Sequence, residues 1–191
     1  MIFYKIIKKI QIFYRNYEVK CQNVILKKTI KSLGGRIEGA VSFGHNVMLS
    51  GGGSLQLGSN VHIGSNSFIR ADGGLKIGNN VIISRNLVLY TNSHNYEGMR
   101  LPFDETYKQS PVIIEDNVWI GMNVTISPGT IIREGAIIGL GSRVFKEVPK
   151  GVVVGSGQLK FIKDRDNVHY TRLKEEQNFG DGDGHEYKTN D

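Results

Sequence analysis

The sequence predicts an all-β fold, a three-sided parallel β-solenoid, and three observations predict it. Ile114, Ile120, Ile126, Ile132, Ile138 and Val144 stand at intervals of six. Four places after each comes a small or β-branched residue: Val118, Val124, Thr130, Ala136, Ser142 and Val148. The same beat runs earlier through Leu57, Ile63, Ile69 and Leu75, slips by two, and resumes at Ile77, Ile83 and Leu89. Its small partners there are Val61, Ser67, Gly73, Val81, Leu87 and Ser93. A short fixed period is the signature of a repeat array. Period six fits neither a helix nor a long alternating strand. It fits short strands with a corner every six residues, one apolar side chain per strand filling the axis.

Residues 1–32 form a basic segment that precedes the repeats. Apolar residues at 2, 3, 6, 7, 10, 13 and 14 follow helical spacing. Lys5, Lys8 and Lys9 interrupt that run too often for the apolar core of a signal peptide. Two compatible roles follow. The helix lies on an anionic membrane face through residues 1–14, or it caps the open end of the solenoid. Net charge is +6 overall, yet residues 1–36 hold nine Lys or Arg and only Glu18. The basic character therefore belongs to the N-terminus and points to a local anionic partner. Nucleic acid is not the expected partner, because nothing beyond this segment suggests one.

Residues 33–163 are read as the solenoid domain, looser over 33–56 and regular over 57–91 and 112–150. Within it, residues 92–111 break the repeat. A loop of that length inside a regular array is usually functional. Its Tyr96, Leu101, Pro102, Phe103 and Tyr107 are too apolar to stay free in water, so it should reach over an adjacent subunit. Residues 164–191 carry eight acids against four bases and read as a flexible tail. No apolar run is long enough to span a bilayer. The single cysteine, Cys21, precludes an internal disulfide and suits a reducing compartment.

Two side chains stand out for chemistry. Trp119 lies between the inward Val118 and Ile120, so strand alternation turns it outward. An exposed aromatic of that size calls for a partner surface or a ligand. His94 is five residues after Leu89, as Trp119 is five after Ile114, which places it in the same outward position just before the loop. Histidine is the usual general base near neutral pH.

Tyr-Thr-Asn-Ser-His94, a loop with Arg100, and Pro-Val-Ile-Ile-Glu-Asp-Asn-Val-Trp119-Ile-Gly resemble the hexapeptide-repeat acyltransferases. The sugar and polysaccharide O-acetyltransferase branch is the nearest, over residues 57–163. That resemblance implies a left-handed parallel β-helix, a cytoplasmic homotrimer with active sites between subunits, and acetyl-CoA as co-substrate without a metal. It implies His94 as the catalytic base and Trp119 as the active-site tryptophan. Asp72, Asn92 and Arg100 would bind the acceptor. Met122, Leu140, Phe145 and Lys146 would line the acetyl-CoA groove, and Lys160 and Lys163 would meet its phosphates, as cations do. The chain departs from the family twice. Gly155-Ser-Gly-Gln-Leu159 replaces a Gly-Asn-Pro-Ala run, and Gly64 stands near an acceptor-binding Asn of the galactoside enzymes.

The expected activity is acetyl transfer to a saccharide hydroxyl, on a bacterial surface polysaccharide or its precursor. Alternatives are an antibiotic O-acetyltransferase, an amino-sugar N-acetyltransferase and a non-enzymatic sugar-binding solenoid. A zinc hydrase on this scaffold would need three converging histidines. His45, His62 and His94 are available, but no paired-His spacing follows His94.

Overall fold

The computed structural model describes residues 2–95, 103, 105–155, 160–164 and 166–178. Helix α1 (Ile2–Ser32) leads into parallel coils that make three faces. The first face stacks Arg36–Ile37, Leu55–Leu57, Leu75–Ile77, Val112–Ile114 and Ile131–Ile132. The second stacks Val41–Phe43, Val61–Ile63, Val81–Ile83, Trp119–Ile120, Ile137–Ile138 and Val152–Gly155. The third stacks Met48–Ser50, Phe68–Arg70, Val88–Tyr90, Thr125–Ile126 and Arg143–Val144. About six turns result. An antiparallel strand, Lys160–Asp164, closes the second face on Val152–Gly155.

The period-six residues fill the axis. Ile114, Ile120, Ile126, Ile132, Ile138 and Val144 are buried, as are their small partners from Val118 to Val148. Full burial of each such side chain contributes about 1.5–3 kcal/mol before the entropy of ordering it. A side chain at the axis meets its counterparts from the coils above and below, so only apolar residues fit there.

Coil length changes along the stack, which explains the slip in the sequence. Leu55 pairs with Leu75 and Val61 with Val81, a rise of twenty residues per coil. Ile113 pairs with Ile131 and Trp119 with Ile137, a rise of eighteen. The two additional residues sit at the corner between the third and first faces, at 51–54 and again at 71–74. Residues 33–56 are therefore a regular coil, not a loose one. The long insertion 92–111 leaves from this same corner one coil later. Ser93 is not a corner residue; it is exposed in the hairpin that leaves there, and buried Thr91 takes the corner.

The remaining corners turn through left-handed dihedrals. Asn60, Asn80 and Asn117 have φ of 54–60° at one corner, and their side chains form a ladder with 3.1 Å bonds between successive rungs. Asn tolerates this region better than other side-chain-bearing residues. In the next coil Gly135, φ 71°, takes the position above Asn117.

Helix α1 caps the first coil. Ile30 is fully buried, and Leu26 packs beside it. Asn23 Nδ2 donates to the Phe43 carbonyl at 2.6 Å, and its Oδ1 accepts from the Phe43 N–H at 2.7 Å. Gln22 Nε2 donates to the Val47 carbonyl at 3.0 Å. These bonds satisfy backbone groups that a bare solenoid end would leave open.

Part of the expected flexible tail is folded. Helix α2 (Asn167–Glu175) is capped by Asp166, whose carboxylate accepts from the His169 N–H. Its Tyr170 covers Gly135, where a Cβ would lie 3.1 Å from the ring. The phenol donates to Glu134 Oε1 at 2.8 Å and accepts from Asn117 Nδ2 at 3.0 Å. Lys150 and Lys174 also bind Glu134. Tyr170 thus ends the Asn ladder. The acid- and glycine-rich run 180–184 lies outside the described residues.

Candidate active site

The corner between the third and first faces holds the His94 constellation. Thr91 anchors it: its hydroxyl donates to the Arg70 carbonyl at 2.9 Å and accepts from the Gly73 N–H at 2.8 Å. Gly73 has to be glycine here, because a Cβ would sit 2.0 Å from the Thr91 carbonyl oxygen. The Ser110 N–H donates to that same carbonyl at 2.8 Å and closes the base of the loop. From this base, Asn92–His94 pairs antiparallel with Tyr107–Gln109, and His94 stands opposite Tyr107.

His94 is therefore not an outward residue of a solenoid face, as the hexad count expects. The chain leaves the coil after Thr91, and a hairpin presents the imidazole instead. The ring is half-buried, stacked on Phe103 at 3.9 Å between centroids and against Tyr107 at 4.5 Å. Aromatic walls on the imidazole fix its orientation. Its Nδ1 is buried and finds no hydrogen-bond partner among the described residues, and the same holds for Asn92 Oδ1. Buried polar atoms are normally paired, so two orphans at one corner ask for a ligand group or water.

Asp72 lies one coil below Asn92 at this corner. Its Oδ2 accepts from Ser50 Oγ at 3.1 Å and faces Arg70 Nε at 3.6 Å. The Arg70 guanidinium in turn lies over the Tyr107 ring at 5.5 Å and the Tyr90 ring at 5.7 Å. Carboxylate, guanidinium, phenol ring and imidazole thus form one contiguous array. Arg70 has no place in the sequence reading. The coil rise of twenty residues, which sets Arg70 beneath Tyr90, is the signal that finds it.

The other expected site residues divide into two groups. Trp119 is on the outer side of the second face, paired in register with Ile82 and Ile137. It is 52% exposed, and its Nε1 donates to Ser84 Oγ at 3.4 Å. Met122 and Leu140 follow at the corner between the second and third faces, both exposed and one coil apart. Gly121 lets those coils approach: a Cβ there would lie 2.7 Å from the Leu140 nitrogen. Phe145 and Lys146 lie at the His94 corner two coils further on, with the ammonium 5.6 Å from the Phe145 ring. Lys160 and Lys163 are in the closing strand. Arg100, Tyr96, Leu101 and Pro102 fall outside the described residues.

In a triangular coil the corner between the third and first faces lies across the axis from the second face. His94 and Trp119 of one chain therefore point away from each other. Each chain thus presents an imidazole corner and, apart from it, an exposed aromatic face. His62 meets Ser42 on the second face, and His45 meets Glu18 of α1, so the three histidines do not converge. Among the described residues no three His, Cys, Asp or Glu side chains are placed to hold a metal.

Fold and site together define a parallel β-solenoid of hexapeptide repeats with a histidine hairpin ejected at one corner. Residues 55–91 match the profile "Hexapeptide repeat of succinyl-transferase", and residues 111–146 match "Bacterial transferase hexapeptide (six repeats)". Over these residues the chain carries the hexapeptide repeat of the bacterial acyltransferases. The galactoside O-acetyltransferase of Escherichia coli (strain K12) is 41% identical over 63 residues, 31% of this chain and 31% of that protein. WbbJ of the same strain, assigned to lipopolysaccharide biosynthesis as an O-acetyl transferase, is 39% identical over 74 residues. That match spans 39% of this chain and 37% of WbbJ. The chain thus spans about a third of the length of the curated relatives it matches. Among solved structures, a maltose O-acetyltransferase from Clostridium difficile 630 superposes with TM-score 0.56 at 26% identity. It covers 80% of this chain and 87% of its own. A galactoside acetyltransferase in complex with coenzyme A gives TM-score 0.64 at 22% identity over 90% of each chain, a likeness of fold.

Proposed function

We propose that the protein is an acetyl-CoA-dependent O-acetyltransferase acting on a saccharide hydroxyl, on a bacterial surface polysaccharide or its precursor. The observation that carries this reading is the buried Nδ1 of His94, unpartnered among the described residues and held in an aromatic clamp beside Asp72 and Asn92. Similarity to sugar O-acetyltransferases supports the acceptor class.

His94 takes the proton of the acceptor hydroxyl as its oxygen attacks the thioester carbonyl. The C–S bond breaks, the acetyl ester forms, and the thiol leaves with the proton that His94 returns. Such general-base help is worth about 100- to 10,000-fold. Asp72 and Asn92 bind acceptor hydroxyls. Exposed Met122, Leu140 and Phe145 take apolar parts of acetyl-CoA, while Lys146, Lys160 and Lys163 take its phosphates. The place of action is the cytoplasm, where acetyl-CoA is supplied.

The working unit is a homotrimer in which the imidazole corner of one chain faces Trp119 of its neighbour. The opposed imidazole corner and aromatic face of the single chain support this, since neither encloses a thioester alone. The test mixes inactive His94→Ala with inactive Trp119→Ala protein after dissociation, reading free thiol release with a panel of glycans. Some reassembled sites then carry both intact residues, and activity returns. Mixed trimers that stay inactive overturn the shared site.

A further inference from the structure

Helix α1 is longer than a cap needs to be. Its contacts with the solenoid begin at Glu18, which meets His45, while the turns before it project with their side chains in solvent. At ~100° per residue, Val19, Gln22, Asn23, Leu26 and Ile30 share one face, the face on the solenoid. Phe3, Ile6, Ile7, Ile10, Phe13, Tyr14 and Tyr17 fall within an arc of roughly 120° on the opposite face. All seven are exposed, Phe3 at 75% and Phe13 at 67%. Val24 and Ile25 continue the stripe, also exposed. The stripe faces directly away from the described coils.

Charge selects the occupant. Lys9, Lys20, Lys27 and Lys31 run along one edge of the stripe, whereas Lys5, Lys8 and Arg15 lie on the opposite side of the helix, in line with Gln22, Asn23 and Leu26. Glu18 is the one acid on α1, and it is engaged with His45. A second copy of this helix would bring the same excess of cations against the first. An anionic lipid surface would bring the opposite sign and an apolar layer beneath it. No described helix is long and apolar enough to cross a membrane. A helix with an exposed apolar face and a basic edge lies in the interface plane instead.

We infer that the N-terminal half of α1 docks the protein on an anionic phospholipid surface. Phe3, Ile6, Ile7, Ile10, Phe13 and Tyr14 enter the headgroup–acyl boundary, and the flanking lysines meet lipid phosphates. The solenoid is held on the far side of the helix, clear of the bilayer. This inference makes no use of the proposed reaction.

The experiment sediments the full chain with phosphatidylcholine vesicles containing roughly 30 mol % phosphatidylglycerol, and with phosphatidylcholine alone, at low salt and at about 0.5 M salt. The wild type pellets with the anionic vesicles at low salt, weakly with neutral ones, and is released by salt. The double variant Lys9→Gln, Lys20→Gln loses about 25-fold in partitioning, at about fivefold per cation removed. The triple variant Ile6→Ser, Ile10→Ser, Phe13→Ser loses binding to a similar extent and keeps its oligomeric state, read by sedimentation velocity. These side chains are exposed, so the coils beneath are undisturbed. A wild type that ignores anionic vesicles overturns the inference. So does a serine variant that still binds, or one that changes oligomeric state, which would make the stripe a protein interface.

Discussion

Tyr170→Phe isolates the hydroxyl bonds that help hold the C-terminal helix to the solenoid. The substitution keeps the ring over Gly135 and removes only the hydroxyl. Two hydrogen bonds go with it, to Glu134 Oε1 and from Asn117 Nδ2. A hydrogen bond to a charged group is worth about 1.5–3 kcal/mol. Glu134 keeps Lys150 and Lys174, and Asn117 keeps a 3.5 Å contact to Glu134, so the loss falls to about 1–1.5 kcal/mol. Helix α2 then opens about five to twelve times more often. Hydrogen exchange read by mass spectrometry shows this as faster exchange over 167–175, with the coils unchanged. Because α2 follows the strand bearing Lys160 and Lys163, KM for acetyl-CoA rises and kcat holds. Unchanged exchange over 167–175 would refute the latch.

The same latch predicts a dependence on pH. Burial pushes the Glu134 carboxyl up, but the bonds from Lys150, Lys174 and Tyr170 outweigh burial and hold it down at about 2. Its contribution is complete above the ordinary glutamate value of 4.5 and is lost as pH falls from there toward about 2. Burial, then the bond to Glu134, raises the Tyr170 phenol above its ordinary 10.0. The protonated phenol is the bound form, so its contribution is full below that value and lost as pH rises through the raised one. Protection over α2, taken against the intrinsic exchange rate at each pH, should therefore fall at both extremes.

Two further outcomes follow from the imidazole corner. His94→Ala should lower turnover by at least about tenfold while acetyl-CoA binding and the circular-dichroism spectrum are retained; a smaller loss means another group is the base. Gly73→Ala forces a Cβ against the Thr91 carbonyl, so the hairpin base must shift at a cost of about 1–3 kcal/mol. Turnover should fall with the melting temperature lowered by only a few degrees, and full activity would show that the corner does not position His94.

Periodicity revealed the axis because that position accepts nothing but an apolar side chain, and it accepts one per strand. Ile114 to Val144 could be read inward from spacing alone, and Trp119 outward from alternation. A helix over the first residues was legible from its 3.6-residue spacing, and so was the excess of cations along it. The insertion at 92–111 was legible because the beat stops there.

Only the tertiary structure decided how many residues each corner takes, since that depends on how the backbone turns. This is why one coil rises by twenty residues and another by eighteen, and why His94 leaves the face for a hairpin. It also placed Arg70 against Tyr107 and Tyr170 against Glu134, pairs separated by more than thirty residues in the chain. No local propensity encodes such meetings; stacking of coils creates them. The same stacking set His94 and Trp119 on opposite sides of the prism. Spacing could place each of those residues in its own coil, and only the closed triangle of faces shows that they cannot meet within one chain.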